Sequence, residues 1–304
     1  MPRHLLDLFE LTPDDFTAIL DRAEDLKREW SQGQRPARLP GRTLGLIFEK
    51  PSLRTRVSFE TAMVHLGGKG LYLNAEDVGM GSREPIEDCA RVLSEYLDAL
   101  AIRAYRHELI ETVARYARVP VINALSDLAH PCQALADMMT LREEFGRLDG
   151  LHIVFVGDGN NVARSLAVAC ALGGARLTLA APPAYAFPDD FAARVRSVGR
   201  PDTYDHQPDP SLAVARADAI YTDVWISMGQ EEEATRRLSH FQRYQVDEAL
   251  MAKAPAHAVF LHCLPARRGE EVTASVIDGS ASRVIAQAGN RMHVQKGLLS
   301  WLLA

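Results

Sequence analysis

A chain of 304 residues, 47% hydrophobic and 24% charged, has the composition of a folded globular protein long enough for two ordinary domains. Its 34 Lys and Arg against 40 Asp and Glu leave a formal net charge of -6, which argues against a nucleic-acid binder, usually a basic protein. No run approaches the ~20 apolar residues of a membrane span, and the opening Met1-Pro2-Arg3-His4-Leu5-Leu6-Asp7 lacks the apolar core of a secretory signal.

In chain order, Thr12-Pro13-Asp14-Asp15 predicts a helix start: a cap residue, Pro at the first helical position, then acids in the first turn. Phe16, Ile19, Leu20, Ala23 and Leu26 form its apolar stripe. The Gly- and Pro-bearing stretch from Ser31 to Gly41 is a loop. Leu44-Gly45-Leu46-Ile47-Phe48 then reads as a short buried strand. Phe59, Ala62, Met63 and Leu66 mark a helix that stops at Gly67-Gly68. Strands follow at 71–73, 99–102 and 119–123, with helices at 86–96 and 108–116, a polar loop from Asn74 to Pro85, and a long helix at 134–145. Gly150 marks a boundary. A second alternating series places strands at 151–156, 176–180, 219–224 and 258–261, with a helix at 162–172. The closing Leu298-Leu299-Ser300-Trp301-Leu302-Leu303 reads as one face of a docked helix. Strands alternating with helices predict parallel sheets covered on both faces, in two similar halves.

The four cysteines, Cys89, Cys132, Cys170 and Cys263, show no paired spacing for zinc or a redox dithiol, which fits a reducing, cytoplasmic setting. Chemistry gathers just after strands. Between the first strand and its helix stands Pro51-Ser52-Leu53-Arg54-Thr55-Arg56. Free backbone N–H groups and a positive dipole end meet two hydroxyls and two guanidinium forks there, a combination suited to a phosphate dianion. Taken singly, Ser52 reads as a helix cap and each arginine as solvated surface. Arg103 directly follows a strand, and His130 and Gln133 open a helix after another, where an imidazole and an amide can bond a small carbonyl or amide group.

Gly157-Asp158-Gly159-Asn160-Asn161 resembles a dinucleotide fingerprint only superficially. Val162 occupies the third small position, and Ala180-Ala181-Pro182 ends the next strand where an acid would bind ribose. An NAD-dependent dehydrogenase is therefore disfavoured. Asp223 ends a strand and offers a carboxylate for a substrate amine, with Ser227 and Gly229 close by. Cys263 follows another strand; a free Cys is ordinarily a small buried hydrophobe. Arg291 has no informative local context.

Four stretches carry a resemblance: Ser52-Leu53-Arg54-Thr55-Arg56, His130-Pro131-Cys132-Gln133, Asp223-Val224-Trp225-Ile226-Ser227-Met228-Gly229 and His262-Cys263-Leu264-Pro265. In this order they are similar to the transcarbamylases, and the last two stretches resemble the ornithine carbamoyltransferases in particular. The resemblance implies an α/β protein of two Rossmann-like, doubly wound parallel-sheet domains. Residues 1–147 would bind carbamoyl phosphate, 148–289 would bind L-ornithine, and a C-terminal helix, 290–304, would pack back on the first domain. It implies no metal or organic cofactor, no nucleic acid or membrane partner, and a homotrimer or multiple of trimers with sites at subunit interfaces. By motif, Ser52, Leu53, Arg54 and Thr55 would hold the phosphate. Arg103, His130 and Gln133 would take the carbamoyl group, and Cys263, the Leu264 backbone and Arg291 would complete the reacting centre. Asn161, Asp223, Ser227 and Met228 would bind ornithine. Arg103, His130, Asp223, Cys263 and Arg291 are the expected catalytic set.

Three positions depart from the family pattern. Leu53 stands where Thr is common, Gly79 where relatives place a Gln that reaches a neighbouring subunit, and Gly289 where they have an acid. Ser82 or Arg83 are the candidates to replace the missing Gln. The competing readings are a transcarbamylase for another amine, such as putrescine or an acylated ornithine, and a non-catalytic two-lobed binding protein.

Overall fold

The computed structural model describes residues 2–74, 78–226 and 231–303. They form two compact units, residues 1–139 with 289–304 and residues 140–288.

The first unit opens on helix α1 (Pro13–Ser31), capped as its sequence predicts. The Thr12 hydroxyl accepts from Asp15 N–H at 3.1 Å, and the Asp15 carboxylate accepts from Thr12 N–H at 3.3 Å. Strand β1 (Thr43–Phe48), helix α2 (Leu53–His65), β2 (Lys69–Asn74), α3 (Ile86–Tyr96), β3 (Ala99–Arg103), α4 (His107–Tyr116) and β4 (Val121–Leu125) follow. The four strands are parallel in the order β2-β1-β3-β4. All five residues of β3 are buried, as expected for a central strand covered on both faces, whereas the edge strand β2 is largely half-exposed. β4 starts at Val121 rather than Val119, because Pro120 has no N–H to give and contributes only its carbonyl, to Leu100 N–H. Likewise α5 (Pro131–Phe145) starts earlier than the apolar spacing suggests, with Pro131 at a position where the missing N–H costs nothing.

The units divide within α5, after Met139. In the second unit, β5 (His152–Val156), α6 (Asn161–Gly173), β6 (Arg176–Ala180), α7 (Asp189–Val198), β7 (Tyr204–His206), β8 (Ala219–Thr222), α8 (Ala234–Phe241) and β9 (Val259–His262) build a parallel sheet in the order β7-β6-β5-β8-β9. The three-residue β7 was invisible to periodicity, being too short and too polar. Helix α9 (Val284–Leu303) leaves the second unit after Ala288, and the first unit resumes at Gly289. Its C-terminal part packs on α1: Lys27 Nζ donates to Asn290 at 2.7 Å and Lys296 Nζ to the Leu26 carbonyl at 3.1 Å. Among the described residues, no helix is long and apolar enough to cross a membrane.

Strand order locates the chemistry. In the first sheet the chain steps from β1 outward to β2, then returns to the other side of β1 for β3. The second sheet reverses in the same way between β5 and β8. Such reversals leave a crevice at the carboxyl ends of the two strands, where ligands of open α/β sheets bind. The residues after β1 and at the end of β3 are Ser52–Arg56 and Arg103, and those after β5 and β8 are Asp158–Asn161 and Asp223.

Candidate active site

At the first reversal, Ser52 caps α2: its Oγ accepts from Thr55 N–H at 3.3 Å and donates to Thr55 Oγ1 at 2.9 Å. The capping role and the ligand role are thus compatible, since the amides of Leu53 and Arg54 in the first turn remain outside the cap. Leu53 is 76% exposed, so its side chain takes no part in the core. The two arginines of the motif diverge. Arg54 is half-buried and its guanidinium has no partner among the described residues. Arg56 instead pairs with Glu60 at 3.2 Å and lies 3.9 Å over the Tyr72 ring. Of the two forks expected from the sequence, only Arg54 is left for an anion.

Arg291, on α9, joins this corner from the far end of the chain. One guanidinium nitrogen donates to Thr55 Oγ1 at 2.8 Å, and the other donates to Gln133 Oε1 and faces His130 Nε2 at 3.4 Å. Gln133 Nε2 in turn donates to Asp137 Oδ1 at 2.8 Å, one helical turn along α5. Thr55, Arg103, His130, Gln133, Asp137 and Arg291 are all buried. Burial first, then the charges of Arg291 and Arg103, hold the His130 pKa well below its usual value. His130 is therefore neutral, and since a guanidinium has only donors, its Nε2 acts as acceptor toward Arg291. The result is a buried cationic corner whose positive charge rests on guanidinium groups and not on imidazole.

The second reversal is built around a carboxylate. Asp223 Oδ1 accepts from the Cys263 thiol at 3.1 Å, and Oδ2 accepts from Asn160 Nδ2 at 2.9 Å. Asn160 is fixed in turn, because its Oδ1 caps α6 through Val162 and Ala163 N–H at 3.0 and 3.1 Å. Asn161 is the first residue of α6. Ser227 and Met228 lie outside the described residues. Leu264, after Cys263, holds φ 57, a conformation costing a side-chain-bearing residue about 1–3 kcal/mol. His262 supports it: Nδ1 accepts from Leu264 N–H at 2.9 Å, which leaves Nε2–H to donate to Glu271 at 3.1 Å. The fully buried Glu271 also accepts from Arg267 N–H at 2.6 Å. Although Asp223, His262 and Cys263 present atoms within 4.8 Å of one another, both imidazole nitrogens of His262 are committed.

Several residues of these networks escaped sequence reasoning. The two glycines of Gly157-Asp158-Gly159 serve different needs: Gly157 holds φ 142, a conformation that favours glycine, and a Cβ on Gly159 would sit 2.7 Å from the Tyr185 carbonyl and 2.9 Å from Phe187. Asp158 pairs with Arg237 of α8, 4% exposed, whose Nε also donates to the Trp225 carbonyl at 2.6 Å. The Arg237 guanidinium lies over Tyr185, and Trp225 stacks on Phe241. This clamp fixes the backbone just past Asp223. Asn160 had a visible signal, an Asn before a helix at a strand end; Arg237, in a run of charged residues, had none. In the 74–85 loop, Ser82 and Arg83 side chains both bond back to the loop's own carbonyls, of Gly79 and Val78. Around Gly289 there is open space, so packing does not demand glycine there.

Comparison with known proteins fits this geometry. Residues 3–143 match the carbamoyl-P binding domain of the aspartate/ornithine carbamoyltransferase family, and residues 149–302 match its Asp/Orn binding domain. The chain is 50% identical to the ornithine carbamoyltransferase of Acidothermus cellulolyticus, covering 100% of this chain and 97% of that one. It is 48% identical to that of Thermus thermophilus, over 100% and 97%. Among solved structures, ornithine carbamoyltransferase from Pyrococcus furiosus superposes with a TM-score of 0.96 at 47% identity, over 99% of this chain and 97% of that one. The Thermus thermophilus enzyme gives 0.90 at 45% identity over the whole of both chains.

Proposed function

This chain belongs to the ornithine carbamoyltransferase family, and from that premise we propose that it transfers the carbamoyl group of carbamoyl phosphate to the δ-amine of L-ornithine, forming L-citrulline and phosphate. The neutral amine attacks the carbamoyl carbon, whose C=O becomes an oxyanion. The new C–N bond then replaces the C–O bond to phosphorus, and the departing phosphate carries the amine proton away. An alkyl amine is mostly protonated at neutral pH, so the site must select the neutral form.

The roles follow from the groups each unit presents. The first domain, residues 1–147 with 290–304, would bind carbamoyl phosphate. Ser52, Thr55, Arg54 and the Leu53 amide hold the phosphate. Arg103, His130 and Arg291 would lie about the carbamoyl group, where the fixed guanidinium donors stabilise the oxyanion. The second domain, residues 148–289, would present Asn161, Asp223, Ser227 and Met228 to ornithine, with Cys263 and the Leu264 backbone at the reacting centre. The observation that carries the reading is the Asp223 carboxylate, pinned by Asn160 and Cys263 at a strand reversal, where it can accept from an amine and orient its lone pair.

A cytoplasmic setting is supported by the four free cysteines, three of them buried. A homotrimer is supported by an apolar face on the first unit, where Leu53, Val57 and Val64 of α2 and Leu71 of the edge strand are exposed. Sedimentation at a threefold multiple of the chain mass checks the assembly.

The reaction is tested by supplying carbamoyl phosphate with ornithine, putrescine, aspartate and N-acetylornithine in separate assays. Carbamoylation of ornithine alone is expected. Product from another amine would overturn the ornithine assignment, and no product from any would overturn the transferase reading.

A further inference from the structure

A primary amide is nearly symmetric in shape but opposite in polarity at its two ends: one oxygen that accepts, one nitrogen that donates twice. Gln133 sits 1% exposed between two neighbours that each tolerate only one of those ends. Arg291 offers donors only, and Gln133 turns its oxygen to it. Asp137, 0% exposed and four residues along the same helix, offers acceptors only, and Gln133 turns its nitrogen to it at 2.8 Å. A flipped amide would set donor against guanidinium and oxygen against carboxylate among buried groups, where mismatched polar atoms are costly. The orientation is therefore fixed from both sides, and the carboxylate end of that lock lies outside the expected ligand-binding set.

We propose that Asp137 is a positioning residue that holds the Gln133 amide oxygen toward the carbamoyl N–H, and so sets the preference of this site for carbamoyl phosphate over acetyl phosphate. The assignment rests on the carbamoyl-transfer reading above. A carbonyl oxygen has two lone pairs; with one taken by Arg291, the second remains for a ligand donor. Carbamoyl phosphate and acetyl phosphate share the phosphate and the carbonyl and differ in one group, NH2 against CH3. Ser52, Arg54, Thr55 and Arg291 cannot tell the two apart. An oriented acceptor can.

The test compares three constants on the intact enzyme: KM for carbamoyl phosphate, and the inhibition constants of acetyl phosphate and inorganic phosphate. Asp137→Asn keeps the shape but lets residue 137 donate as well as accept, which unlocks Gln133. Its KM for carbamoyl phosphate is expected to rise about tenfold, the worth of one good hydrogen bond, with both inhibition constants within about twofold of the parent. A parallel rise of all three would mean a merely structural role, and no rise would mean no role; either overturns the assignment. Asp137→Asn combined with Gln133→Glu swaps the charge between the two positions and rebuilds the polarity, since the amide introduced at position 137 then donates to a side chain that only accepts. The ratio of the carbamoyl phosphate to acetyl phosphate constants is expected to return to within about threefold of the parent. A ratio left at the single-variant value would overturn the assignment. Gln133→Met, which leaves Asp137 untouched, must lose the same tenfold preference, and its retention would also count against the proposal. If the parent enzyme makes no citrulline, the transfer reading fails; if it does and the ratio ignores Asp137, only this inference fails.

Discussion

The two units solve opposite electrostatic problems at equivalent places in their sheets. At the first reversal, cations and hydroxyls collect around a helix N-terminus, and the groups that orient them, Gln133, Asp137 and Arg291, are buried. At the second, a carboxylate, a thiol and an amide arrive from the ends of three strands and hold one another, with Arg237 bracing the backbone behind them. An anion site can start from one contiguous run, because a helix N-terminus supplies half of it without side chains. The second strand reversal likewise gathers a helix N-terminus, not the carbonyl-bearing C-terminus that would suit a cation, so its negative charge comes from a side chain that must be separately restrained.

The largest expected effects come from removing the charge that defines each side. Asp223→Asn should lower kcat/KM for ornithine by about 10³ while the KM for carbamoyl phosphate stays within about twofold. Equal losses for both substrates in steady-state assays would break the division of labour. Arg54→Gln should cost about 10² in kcat/KM for carbamoyl phosphate. Arg56→Gln, whose guanidinium is taken by Glu60 and Tyr72, should cost less than about threefold. The two variants separate neighbouring arginines that the sequence could not.

What the sequence revealed follows the same division. The run from Ser52 to Arg56 was legible because cap, dipole and charges lie within one turn. Asp223 and Cys263 were legible as polar residues ending apolar strands. Their mutual hydrogen bond, 40 residues apart, has no local signature. The Asp158–Arg237 pair was hidden for the same reason, and so was Asp137, which reads as an ordinary helical acid until Gln133 and Arg291 are seen beside it. Local pattern reports which backbone turns and which face is buried. It does not report pairings made across the sheet.

The brace behind the carboxylate offers the next test. Arg237→Met would leave Asp158 buried without its partner, and burial already pushes that carboxyl pKa up. A destabilisation of about 3 kcal/mol is expected in urea unfolding, largely recovered by pairing it with Asp158→Leu. If the double variant is no more stable than the single one, the clamp matters through Trp225 and not through charge.

The smallest effect concerns how the cationic unit manages its imidazoles. His130 is neutral beside Arg103 and Arg291, and His293 on α9 is held down to about 3 by burial and by the nearby charges of Lys296 and Lys27. In the unfolded chain each would titrate near 6.5. Below that pH the unfolded state binds protons that the folded state refuses, so stability is fully present above 6.5 and declines as pH falls toward the folded values. Urea unfolding at a series of pH values from about 7 to 4.5 should show that decline. The His293 ring packs edge-on against Trp30 of α1, 5.2 Å between centroids, and is not among the proposed phosphate ligands. His293→Gln should therefore make the decline shallower while leaving the carbamoyl phosphate KM unchanged across the range. An unaltered slope would mean that His293 is protonated at no cost in the fold, and that the unit tolerates charge on imidazole after all.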